Sequence, residues 1–119
     1  MPRVLLVDDD PAMLRLLEVN FRLEGFETVT ASHGIEALTA AEEHRPDAVV
    51  LDVMLPGIDG FEVQRRMRAD PELAGVPVVF LTGRAFDDPD AGGGATFVAK
   101  PFDPALLVGL VRDRTGEAS

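Results

Sequence analysis

The 119-residue chain contains no cysteine. That absence excludes disulfides, zinc–thiolate sites and a cysteine nucleophile, and it fits a reducing compartment. Long apolar runs are missing too. The first one, Val4–Val7 (VLLV), is far too short for a signal-peptide core or a membrane span. A cytoplasmic protein with no membrane association is therefore expected. Positive charge is scarce: 11 Lys and Arg stand against 21 Asp and Glu, a formal charge of −10. A field of that sign repels nucleic acid and anionic lipid, so direct binding of nucleic acid by this chain is not expected. No internal repeat, linker or second composition zone interrupts the chain. Residues 1–119 read as a single domain, with a frayed tail or linker from about residue 113. Apolar residues make up 46%, enough for a packed core.

What is present is an alternation. Five short apolar stretches, Val4–Val7, Thr28–Ala31, Ala48–Leu51, Val76–Leu81 and Thr96–Ala99, read as strands. Three are nearly continuous Val/Leu runs, the pattern of strands buried on both faces of a parallel sheet. Helical spacing fills the gaps. The first helix should start at Asp10-Pro11, carry Leu14, Leu17 and Phe21 inward, and stop at Gly25. A second is expected over 35–44, ending before Pro46, and a third over 61–69. The last repeats the first start signal at Asp103-Pro104. Residues 84–94, RAFDDPDAGGG, hold a proline and three consecutive glycines, so one short helical turn at most is expected there.

Strand–helix alternation implies a doubly wound parallel sheet with right-handed crossovers, whose ligands bind at the carboxyl ends of the strands. The polar residues that close the strands collect on that edge. Asp8 and Asp9 follow the first strand, Asp52 ends the third, Thr82 the fourth and Lys100 the fifth. Crowded carboxylates repel, and a hard dication resolves the repulsion. Mg²⁺ suits such a site because it takes a few carboxylates, several waters and a phosphate. Adding a lysine point charge and a threonine hydroxyl makes a site for a phosphoryl group. Among the candidate nucleophiles Asp52 is the best placed, with its central strand and apolar flanks (VVLDVMLPG); a carboxylate attacking phosphorus forms an aspartyl phosphate. Asp8 and Asp9 would then hold the metal. Asp10 reads as a cap only, His33 and His44 as solvated or cap-adjacent, and PGIDG (residues 56–60) as a turn.

The motifs VLLVDDDP, VVLDVMLPGIDGFEV, VVFLTG and FVAKPF, in this order, resemble the receiver domain of two-component response regulators over roughly residues 4–112. The resemblance implies a five-stranded flavodoxin-like sheet of order 2-1-3-4-5. It implies phosphotransfer to Asp52 from a phosphohistidine on a sensor histidine kinase or histidine phosphotransfer protein. Mg²⁺ would be held by Asp9, Asp52 and the main-chain carbonyl of Met54, with Asp8 acting largely through water. Thr82 and Lys100 would contact the phosphoryl group, aided by a cis bond at Lys100-Pro101. Phe97 stands at the position of the aromatic switch residue, although packing alone also accounts for a phenylalanine there. Phosphorylation would shift a two-state equilibrium that signals to a downstream protein or output domain. The chain would catalyse only its own phosphorylation and dephosphorylation, and is not an enzyme in the ordinary sense.

One departure and two rivals follow from the same comparison. Thr82 and Lys100 lie 18 positions apart, about one helical turn fewer than the family norm. The shortfall falls in residues 84–94, so a shortened or irregular fourth helix is expected. Met54 and Arg84 occupy places that tune dephosphorylation in the family. A phosphatase of the haloacid-dehalogenase type needs a second acid two residues after the nucleophile, and Met54 stands there. A pseudo-receiver, a non-phosphorylated interaction module, is the remaining alternative. The chain is either a stand-alone receiver or a piece of a longer regulator, and a homodimer is possible.

Overall fold

A computed structural model describes residues 1–83 and 96–115. The expectations for residues 84–94, including the shortened helix and the role of Arg84, lie outside the described residues. Five strands run β1 (Arg3–Val7), β2 (Glu27–Ala31), β3 (Ala48–Asp52), β4 (Val78–Thr82) and β5 (Thr96–Ala99). Four helices are seen among the described residues: α1 (Pro11–Leu23), α2 (Gly34–His44), α3 (Gly60–Ala69) and α4 (Pro104–Arg114). All strand pairs are parallel, in the order β2-β1-β3-β4-β5, as expected.

Side-chain alternation explains why the central strands are apolar on both faces. Leu5, Val7, Val49, Leu51, Val78 and Phe80 point into one core, with Ala37, Ala41, Val63 and Met67 from α2 and α3. Val4, Leu6, Ala48, Val50, Val79 and Leu81 point into the other, with Leu17 and Phe21 from α1 and Leu107, Val108 and Val111 from α4. Each fully buried side chain of this size contributes about 1.5–3 kcal/mol through area removed from water. The chain's last helix thus seals the same layer as its first strand. Arg112 ties the two ends further: it donates to the Glu24 carbonyl at 2.8 Å, and its guanidinium lies 5.7 Å from the Phe26 ring centroid.

Caps set the helix starts. The Asp10 carboxylate accepts from the Ala12 N–H, the Asp59 carboxylate from Glu62 and the Asp103 carboxylate from Ala105, each at 2.9 Å. Gly25 takes φ +89° just past α1, which glycine adopts without steric cost. β4 starts two residues later than its apolar run. The Val76 N–H is spent on the Leu73 carbonyl in the preceding turn, and Pro77 has no N–H to give.

Candidate functional site

The sheet register carries Asp8, Asp52, Thr82 and Lys100 to one edge. Asp52 lies opposite Leu81, and Thr82 opposite Ala99, so the fourth and fifth strands deliver their polar ends beside the third. Lys100 is anchored there by its N–H, which donates to the Thr82 carbonyl at 2.7 Å. Its ammonium Nζ then donates to Asp8 Oδ2 at 3.0 Å and to Asp52 Oδ2 at 3.2 Å. The Lys100-Pro101 bond is cis, as the resemblance implied.

Main-chain donors fix the other carboxylate oxygens. The Asp10 N–H donates to Asp8 Oδ1 at 2.9 Å, and the Met54 N–H to Asp52 Oδ1 at 3.0 Å. Asp8 and Asp52 are buried, at 1% and 6% exposure, and Thr82 is buried beside them. Asp9 stays exposed, yet one oxygen from each of Asp8, Asp9 and Asp52 lies within 4.8 Å of the others. This donor set, all carboxylate oxygens with one exposed member, fits a hard dication.

Burial governs the electrostatics. It pushes the Asp8 carboxyl above the usual aspartate value; the Asp10 N–H and Lys100 pull it back only in part, and the nearby Asp52 charge adds to the rise. Burial also works against the Lys100 ammonium, but the Asp8 hydrogen bond and attraction to both carboxylates outweigh it, so its pKa is raised. The lysine therefore sits charged between two acids.

Two contributors escaped the sequence reading. Gly60, read as part of a turn, opens α3 directly against the end of β3. A Cβ there would meet the Asp52 carbonyl oxygen at 2.6 Å and Val53 Cα at 3.0 Å. The Gly60 N–H also donates to the Val53 carbonyl at 2.9 Å. The second is the Met54 N–H, expected only as the neighbour of a metal-binding carbonyl. Phe97 faces inward: its ring stacks on Phe80 (centroids 5.2 Å apart, 21° between planes) and lies 6.1 Å from Phe61. The Met54 side chain is exposed.

Residues 4–112 match the response regulator receiver domain. The chain belongs to this family. The receiver is 46% identical over 117 residues to the DNA-binding response regulator MtrA of Mycolicibacterium smegmatis, covering 94% of this chain and 50% of that protein. It spans about half the length of the curated relatives it matches. Among solved structures it is similar to the receiver domain of sensor histidine kinase PA1611 from Pseudomonas aeruginosa. The TM-score is 0.88 at 31% identity, covering 98% of each chain; that crystal structure has a magnesium ion coordinated in its active-site cleft. It is also similar to chemotaxis protein CheY4 of Vibrio cholerae, with a TM-score of 0.88 at 29% identity, covering 95% of this chain and 98% of that one. No helix among the described residues of the receiver is long and apolar enough to cross a membrane.

Proposed function

We propose that this receiver, a single domain over residues 1–119, accepts a phosphoryl group on Asp52 from a phosphohistidine. The donor is a sensor histidine kinase or a histidine phosphotransfer protein. The observation that carries the reading is the lysine bridge: Lys100 Nζ reaches both Asp8 and Asp52, with the Asp9 carboxylate alongside. A surface ion pair needs no second buried acid and no third carboxylate within the reach of one ion.

In the proposed transfer an Asp52 carboxylate oxygen attacks phosphorus in line. An O–P bond forms as the P–N bond to the donor imidazole breaks, and its electron pair stays on the imidazole nitrogen. Lys100 leaves its carboxylate partners for a phosphoryl oxygen, and the Thr82 hydroxyl donates to another. The Met54 N–H holds Asp52 Oδ1, and Oδ2, which accepts from Lys100, becomes the attacking oxygen once the lysine moves to the phosphoryl group. Asp9, Asp52 and the Met54 carbonyl would hold Mg²⁺, with Asp8 acting through water; the bound ion would supply neutralisation of phosphoryl charge. The added charge of about −1.5 to −2 then biases Thr82 and Phe97 toward a second arrangement, which a downstream protein or output domain reads. The chain turns over no other substrate.

Incubation with Mg²⁺ and a small acyl phosphate tests this. The expected result is a mass increase of one phosphoryl group, absent in Asp52→Asn. No adduct on the folded chain would count against this reading and support the non-phosphorylated interaction module. Steady phosphate release from unrelated esters would indicate a phosphatase.

A further inference from the structure

At the opposite edge of the sheet, where the strands begin, lies a cavity of about 210 Å³. It is framed by the first residues of β4 and β5, Val78 and Thr96, the end of α3 and the last residue of α4. Its lining is mixed: Met67, Leu73, Val76 and Pro77 supply apolar surface, and Arg68, Arg114 and Gln64 supply polar groups. The Arg114 guanidinium Nη2 donates to Thr96 Oγ1 at 2.8 Å, which holds the fork at the rim and leaves further N–H groups to donate.

Gln64 is the unusual member. It is only 5% exposed, yet among the described residues its side-chain amide makes no hydrogen bond. No side-chain polar atom of the described residues is both sealed from solvent and unpaired, so the amide meets solvent, and this cavity is the space it lines. An amide that reaches solvent only through a cavity bonds to water there, or to a ligand that takes the water's place.

We propose that this cavity binds a small organic carboxylate. The guanidinium fork of Arg114 matches a carboxylate with two parallel N–H bonds, Arg68 adds positive potential, and the Gln64 amide N–H₂ donates to the ligand. The apolar surface takes a short hydrocarbon body. At about 30 Å³ per water-sized group there is room for roughly seven non-hydrogen atoms. The chain's overall negative charge does not forbid this, because at physiological salt distant charges are screened over about 8 Å and the local guanidinium pair decides. The site is separate from the phosphoryl chemistry and stands whether or not Asp52 is phosphorylated.

The test is a titration of the ¹⁵N-labelled chain with sodium butyrate, followed by amide and side-chain NMR, with sodium chloride and inorganic phosphate at matched ionic strength and no divalent ion. Saturable butyrate shifts are expected at Gln64, Gly75, Thr96 and Arg114. They should weaken roughly ten- to hundredfold in Gln64→Leu and in Arg114→Gln, the range for one lost bond to a charged group. Gln64→Leu is apolar and similar in size, and Arg114→Gln lies at a helix end; the dispersion of the amide spectrum in the absence of butyrate reports whether each variant is folded. Equal shifts with chloride, saturation by phosphate but not butyrate, or butyrate affinity unchanged in both folded variants would each overturn the proposal.

Discussion

Asp8 shows how one residue carries both a burden and a purpose. Its pKa lies above 3.8 in the folded chain because burial disfavours the charge. An acid shifted upward binds its proton more tightly folded than unfolded, so stability falls as pH rises from 3.8 through the folded value. Asp8→Asn should therefore raise the urea midpoint at pH 7, and the gain should vanish below pH 3.8, where both states are protonated. Unfolding curves at pH 7 and pH 3 check this; a lower midpoint at pH 7 would mean that the lysine bond outweighs burial. Lys100 acts in the other sense. Its raised pKa stabilises the fold at neutral pH, and that stability drains away as pH climbs above 10.5. These side chains were legible in the sequence because each is a polar residue closing an apolar strand. Gly60 was not, because its contribution is the absence of a Cβ next to the Asp52 carbonyl, and a glycine in PGIDG reads equally well as a turn. Nor does any sequence pattern single out Gln64, whose burial follows from the packing of α3.

At the level of elements the same glycine becomes a mechanical constraint. Gly60→Ala should push the start of α3 away from β3, at a cost of about 1–3 kcal/mol for forced overpacking. It should also slow phosphorylation of Asp52 by acyl phosphate, because the strand end carrying the acid shifts. Urea unfolding together with the rate of mass gain measures both; an unchanged midpoint would show that the helix start yields freely. α2 invites the opposite change. It ends on Arg45 in the left-handed region (φ 46°), a conformation that costs an L-residue roughly 1–2 kcal/mol and glycine far less. Arg45→Gly loses the Arg45–Glu72 ion pair at 2.7 Å, but both side chains are exposed and such pairs contribute about 0–1 kcal/mol. A net gain of about 0.5 kcal/mol or more in thermal or urea unfolding is expected. The starts of the helices that open with Asp-Pro were read from sequence to the residue, since the cap and the proline are local signals. α2 begins one residue before its apolar pattern, capped by His33, whose Nδ1 accepts from the Glu36 N–H at 3.2 Å. Histidine is an uncommon cap, and the apolar periodicity starts only at Ile35.

Over the whole molecule the acidic excess and the carboxylate cluster make one prediction together. A dication that binds the folded but not the unfolded chain stabilises it by mass action, about 2.7 kcal/mol at a hundredfold excess over its dissociation constant. Mg²⁺ should thus raise the thermal midpoint well beyond NaCl of equal ionic strength, and Asp9→Ala should remove most of that difference. A midpoint that follows ionic strength alone would mean general screening of the −10 charge rather than a bound ion. The fold itself was readable at this scale because alternation of strand and helix leaves few topologies.

The layer shared by Val4, Leu6, Leu107, Val108 and Val111 has a further implication for synthesis. A ribosome releases these partners at opposite times. Until α4 emerges, that side of the sheet is covered by α1 alone, and Arg112 has no grip on Glu24 or Phe26. Nascent chains halted short of residue 104 should accordingly be protease-sensitive and chaperone-bound, and native resistance of this domain should arrive in a single step once α4 has cleared the exit tunnel.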